Sequence, residues 1–216
     1  CSSDLYIGSI SKKKKEVSKM KKLKGTKTAS NLITAFAGES QAVQRYTLSQ
    51  KIADKEGYKH IAKVFEETAL NERAHANTLY KYLKDEFENE AIELNPDYTA
   101  FPVVYKDTKL ALKGAIDGEN DEAESMYPEF AKVAKEEGFD DIAKSFTEIG
   151  EVEEHHRDRY KTLLDTLEAG EMFKKDEVTI WKCLNCGYIF EGEEAPKACP
   201  ACKHPQGFFM AVGLVK

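Results

Sequence analysis

Between Thr28 and Glu168 the chain follows a long helical period, with apolar positions three and four apart, Lys and Glu between them, and few prolines. The pattern predicts four long helices, from about Ser30 to Glu56, Tyr58 to Phe87, Thr108 to Glu137 and Asp140 to Glu168. Gly57, Gly138 and Gly170 stand at three predicted ends, where a residue able to turn left-handed commonly closes a helix. Residues 88–106 lose the period, and Asn95-Pro96-Asp97 and Phe101-Pro102-Val103 mark a connection able to run the length of a bundle. Two short turns flanking one long crossover predict an all-α four-helix bundle. Residues 171–180 read as a charged linker. From Trp181 to Lys216 the pattern changes to short strands broken by Gly187, Gly192, Pro196, Pro200, Pro205 and Gly207. So short a β unit needs a staple, and a structural metal is the usual one.

The helical part repeats itself. Gly38-Glu39 matches Gly118-Glu119, Glu56-Gly57-Tyr58 matches Glu137-Gly138-Phe139, and Ile61 to Phe65 matches Ile142 to Phe146. Matching Tyr46 with Tyr127 leaves one extra residue between Glu119 and Tyr127. A helix absorbs such an insertion as a π-bulge, and Pro128 just beyond it fits the same irregularity.

Charge divides the chain. Residues 1–27 carry nine Lys against Asp4 and Glu16, a net of +7, which leaves −13 on the remainder. The basic segment reads as a disordered, solvated extension. The acidic remainder argues against nucleic acid as a partner, and no apolar run approaches the length of a membrane span. The sequence opens on Cys1, and Met20 begins a stretch resembling a natural start. Residues 1–19 therefore read as a processed leader or upstream extension, and Cys1 followed by Ser residues also fits a lipid-modified cysteine. The other four cysteines form two C-x-x-C pairs, which favours metal over disulfides and a reducing, cytoplasmic compartment.

The repeat carries the chemistry. Glu39 is followed 33 residues later by Glu72-x-x-His75, and Glu119 is followed 34 residues later by Glu153-x-x-His156. Residues three apart share a helix face. Two inward Glu-x-x-His helices and two Glu helices form the standard container for two iron or manganese ions. Glu122 lies three residues after Glu119, where the first half has Ala42. This surplus carboxylate lets one metal exchange ligands, for example between His75 and Glu122. Tyr46 and Tyr127 follow their helix Glu by seven and eight residues and can hydrogen-bond the carboxylates. His155 and His60 read as surface residues. Cys183-x-x-Cys186 and Cys199-x-x-Cys202, separated by twelve residues, form a tetrahedral sulfur cage that suits zinc or iron. Gly187 fits the left-handed turn of the first knuckle, whereas Lys203 at the matching place makes the second less regular. Trp181, Tyr188, Phe208 and Phe209 would shield the cage. Attachment to a dimetal bundle favours iron there, as an electron source.

From about Met20 to Lys216 the chain resembles the rubrerythrins, which fuse a ferritin-like diiron domain to a rubredoxin-like FeS₄ domain. The resemblance rests on Gly38 to Tyr46, Asn71 to His75, Gly118 to Glu122 with Met126 to Phe130, Glu153 to His156, and the four cysteines. It departs in the basic extension, in His155 and in the crossover. The expected domains are an extension at 1–27, a ferritin-like bundle at 28–170, a linker at 171–180 and a rubredoxin-like β domain at 181–216. The resemblance implies a cytoplasmic, dimeric peroxidase that reduces hydrogen peroxide. Two Fe ions would be held by Glu39, Glu72, His75, Glu119, Glu122, Glu153 and His156, with Tyr46 and Tyr127 beside them. It also implies that Glu122 and His75 are alternative ligands of one iron. One Fe in the four-cysteine site, held by Cys183, Cys186, Cys199 and Cys202, would return electrons drawn from rubredoxin or an NAD(P)H-dependent reductase, since the chain has no Gly-rich dinucleotide motif. The same residues leave open two other functions, a ferroxidase or iron-storage protein and a non-enzymatic zinc-ribbon interaction module.

Overall fold

The computed structural model describes residues 22–103 and 106–215. The leader expected at residues 1–19 and most of the basic extension lie outside the described residues, which take up the chain just before Thr26.

Thr26 caps the first helix, its side chain accepting from Ala29 N–H at 3.2 Å. Helix α1 then runs Lys27–Glu56, so it begins three residues before the predicted Ser30. Gly57, at φ 88°, ends it, and Tyr58 N–H bonds back to the Ala53 carbonyl at 2.9 Å. This is the Schellman closure. The second half repeats it: Gly138 lies at φ 76°, and Phe139 N–H reaches the Ala134 carbonyl at 2.8 Å. Helix α2 spans Lys59–Phe87. After the crossover, Asp107 caps α3, Thr108–Asp121, by accepting from Leu110 N–H at 2.8 Å. A π-helical segment, Glu122–Met126, leads into α4, Tyr127–Glu136. Tyr127 N–H bonds five residues back to the Glu122 carbonyl, which places the expected insertion. Helix α5 spans Asp140–Glu168. Counting α3, the π segment and α4 as one rod, the bundle has four helices and one long crossover.

The bundle core has two apolar parts with a polar layer between them. One part includes Leu32, Leu79, Tyr127, Phe130 and Phe146, and the other Tyr46, Phe65, Leu112, Tyr160 and Leu163. Between them lie the buried Glu39, Glu72, Glu119, Glu153 and His156. Among the described residues, no helix is long and apolar enough to cross a membrane.

Residues 171–180 are not merely a linker. Strand β1 begins at Lys174 and runs to Cys183, flanked by β2, Ile189–Glu194, and β3, Phe209–Ala211, in the antiparallel order β2-β1-β3. Trp181 pairs with Phe190 on one side and Ala211 on the other, and its indole N–H donates to the Gly192 carbonyl at 2.8 Å. The charged run 174–177 hid this strand because it shows no apolar alternation. The small sheet docks on the α1–α2 turn. Tyr58 stacks on Phe173 at 6.1 Å, the Lys59 ammonium stands 5.1 Å from the Phe208 ring centre, and Gly207 packs on Gly57. A Cβ at Gly207 would lie 2.2 Å from the Gly57 carbonyl oxygen, so only glycine permits this contact.

Candidate metal centre

The long helices carry the acidic residues inward. Glu39 comes from α1, Glu72 and His75 from α2, Glu119 from α3, and Glu153 and His156 from α5. Their ligand atoms gather into two groups, each within 4.8 Å: Glu39, Glu72, His75 and Glu153, and Glu72, Glu119, Glu153 and His156. Glu72 and Glu153 belong to both. His75 Nδ1 lies 3.1 Å from Glu72 and Glu153 and 3.6 Å from Glu39. His156 Nδ1 lies 2.7 Å from Glu153, 3.2 Å from Glu72 and 3.6 Å from Glu119.

So many buried charges are costly without a partner. Burial pushes the Glu39 carboxyl up to about 8, with the Glu72 charge adding to it and His75 and Tyr127 opposing. Glu119 is raised by burial and by Glu153. Burial opposes charging His156, but the close carboxylates of Glu119, Glu153 and Glu72 overcome it and raise its pKa to about 12. His75 is raised by the same balance, through Glu153, Glu39 and Glu72. The geometry fits metal better than protons. Despite these short distances, Glu72 Oε1, Glu119 Oε2, both Glu153 oxygens and His156 Nδ1 make no well-angled hydrogen bond among the described residues. Carboxylate oxygens and imidazole nitrogens aimed at common points are the donor set of a dimetal site.

The two tyrosines hold the outer carboxylates. Tyr46 O–H donates to Glu119 Oε1, and Tyr127 O–H donates to Glu39 Oε1. Gly150 lets Tyr127 approach α5, since a Cβ there would stand 3.1 Å from Tyr127 Cβ. Glu122, in the π segment, belongs to neither four-residue group. It is partly buried and faces a cavity of about 190 Å³, walled by Gly38, Arg45, Tyr98 and Gly118. Burial, then the Glu119 and Glu39 charges, holds its carboxyl well above the usual range.

Three features escaped the sequence. Asn71 Nδ2 lies 3.3 Å from His156 Nε2, an interhelical contact that no helical spacing reveals. Tyr160 packs at 5.6 Å from Tyr46 and 5.0 Å from Phe65. His60, expected on the surface, is buried; burial, with Arg159 and Lys63 nearby, lowers its pKa to about 4. His155 is exposed.

The cysteines form the second centre. Sγ atoms of Cys183 and Cys202 lie 3.7 Å apart, and those of Cys186 and Cys199 3.6 Å apart. A tetrahedron with metal–sulfur bonds of about 2.3 Å has edges of about 3.8 Å, so the cage is sized for one metal ion. Both knuckles take one shape. Gly187 N–H reaches the Cys183 carbonyl at 2.8 Å and Lys203 N–H the Cys199 carbonyl at 2.9 Å. Lys203 adopts φ 65° beside Gly187 at 80°, so the second knuckle is as regular as the first. The His204 backbone N–H, then Cys186 and Cys199, lower the Cys202 thiol to about 5 against its burial, favouring the thiolate that binds metal. Trp181 and Phe209 are buried against Cys183 and Cys199, with Tyr188 and Phe208 packed around them.

Comparison with known proteins agrees with both centres. The rubrerythrin family model matches residues 30–164, and the model of the rubrerythrin rubredoxin-like domain matches 181–210. Rubrerythrin-1 of Clostridium acetobutylicum is 52% identical over 190 residues, 88% of this chain and 96% of that protein. The rubrerythrin of Nitratidesulfovibrio vulgaris is 42% identical, covering 90% of this chain and 99% of its own. Among solved structures, fully reduced nigerythrin aligns with a TM-score of 0.59 at 32% identity, over 90% of this chain and 91% of that one. A Desulfovibrio desulfuricans bacterioferritin shares the fold, with a TM-score of 0.59 at 23% identity, over 67% of this chain and 82% of that one.

Proposed function

The chain belongs to the rubrerythrin family, and from that premise we propose how it works as a diiron peroxidase that defends against oxidative stress. The observation carrying this reading is that Glu72 and Glu153 each serve both ligand groups. Shared carboxylates suit a bridged pair of cations, and reducing one peroxide to two waters takes two electrons and two protons. When bound, the paired irons supply those two electrons and a Lewis-acid surface for the peroxide oxygens.

The chain's own residues do the rest. Glu39 and His75 would hold one ion and Glu119 and His156 the other, with Glu72 and Glu153 available to both. Tyr46 and Tyr127 fix the outer oxygens of Glu119 and Glu39, which leaves the inner oxygens for metal. Glu122 is the alternative to His75. Once it has lost its proton, Glu122 would offer a carboxylate where His75 offers a neutral imidazole, and that negative charge would suit the more highly charged form of the ion. The cavity beside Glu122 gives that side chain room to move.

Cys183, Cys186, Cys199 and Cys202 would hold one iron, which would supply a one-electron path back to the metal pair, with rubredoxin or an NAD(P)H-dependent reductase as the donor. The working unit is a cytoplasmic homodimer. Docking on the α1–α2 turn leaves eighteen residue steps, about 27 Å at 1.5 Å per step, between Gly57 and Glu39. So long a separation within one chain favours transfer to the partner subunit's metal pair. Stopped-flow oxidation of the fully reduced protein tests the substrate. We expect faster oxidation by peroxide than by O₂; faster oxidation by O₂ would favour a ferroxidase.

A further inference from the structure

The two histidines of the dimetal site are repeat partners, yet they are held differently. Both turn Nδ1 toward the carboxylates. His156 also has a neighbour at its far nitrogen, Asn71 of α2, 3.3 Å from Nε2. His75 has no hydrogen bond at Nε2 among the described residues. The repeat accounts for the difference. Asn71 precedes Glu72, and the residue preceding the matching Glu153 is Val152, whose side chain neither donates nor accepts. Exposure follows the same asymmetry, with the His156 side chain 2% exposed and His75 15%.

We propose that Asn71 is a positioning residue that holds His156 on its metal, and that Val152 at the matching place leaves His75 as the histidine free to depart. The inference rests on the dimetal reading and deepens it by explaining which imidazole exchanges. A ring that binds metal through Nδ1 carries its proton on Nε2, so it must donate there. Asn71 accepts that proton when its amide presents Oδ1, a half-turn from the orientation that presents Nδ2 at the same place. Asn71 thereby selects the tautomer that leaves Nδ1 free for metal and keeps the ring from rotating. His75 lacks this second tether, so no fixed partner holds its ring in place when Glu122 competes.

The test is metal binding by the full-length protein with its cysteine cage already filled with iron. Mn(II) is the probe, since carboxylates suit it and thiolates do not. An anaerobic titration, read from the EPR signal of free Mn(II), should show two sites in the wild type. Asn71→Leu keeps the volume and removes the acceptor; we expect a loss of about 10- to 100-fold at one site with the other unchanged. Asn71→Asp keeps an acceptor and should bind within a few-fold of wild type at both sites. It also verifies that position 71 tolerates substitution. Wild-type affinity at both sites in Asn71→Leu would overturn the proposal, as would equal weakening of both sites. A wild type that binds no Mn(II) pair would instead overturn the dimetal reading on which the proposal rests.

Discussion

His60 is the buried histidine that the metal site does not use. Its pKa is lowered to about 4 from 6.5, mainly by burial, so the fold favours the neutral ring. Below pH 6.5 the unfolded chain binds this proton and the folded chain resists it. Stability from this residue is therefore present above pH 6.5 and is lost as pH falls toward 4. The shift corresponds to roughly 3 kcal/mol when complete. We expect His60→Leu to flatten the fall in Tm between about pH 7 and pH 5 relative to wild type, with metal content held equal. Parallel pH profiles of Tm for the two proteins would contradict this. The residue was misread from the sequence for a physical reason. A lone His in a helix shows no burial signal when what covers it comes from another helix. The same limit concealed Asn71, whose partner His156 is 85 residues away.

At the scale of elements, much was legible because the chain states its pattern twice. Helix ends at Gly57 and Gly138 were readable since each closing glycine has a repeat partner. The π segment was readable since Tyr46 and Tyr127 align only if one residue is extra. Strand β1 was not, because its first four residues are all charged and nothing in them alternates. Gly150 was also missed, since its role is defined by a neighbour across the bundle. Substituting it sets two effects against each other. Gly150→Ala gains about 1 kcal/mol of helix propensity. It also forces Tyr127 away from a 3.1 Å approach, and overpacking typically costs about 1–3 kcal/mol. The neighbouring atom is Tyr127 Cβ, fixed to the backbone, so packing should prevail. We expect chemical denaturation of the metal-free protein to show a net loss of about 1 kcal/mol. A more stable Gly150→Ala variant would contradict the close fit of α4 on α5.

For the whole molecule, the issue is how a centre inside the bundle and a second one docked at the α1–α2 turn cooperate. Mixed dimers can report whether the electron crosses between subunits. One subunit would carry Cys202→Ser and lack the sulfur cage, and the other Glu72→Gln and lack the metal pair. Each variant alone should be inactive with a reductase as donor. Mixing them with subunit exchange should restore roughly a quarter of wild-type turnover, since half the dimers are mixed and each holds one complete pair. No recovery despite verified exchange would place transfer within one chain. Beneath all of this lies the claim that the bundle encloses two metal ions bridged by Glu72 and Glu153. The most direct measurement is a crystallographic anomalous map at the iron edge of protein loaded with iron. The account predicts three peaks per chain, two flanked by Glu72 and Glu153 and one inside Cys183, Cys186, Cys199 and Cys202. A single peak in the cysteine cage, with none in the bundle, would contradict it.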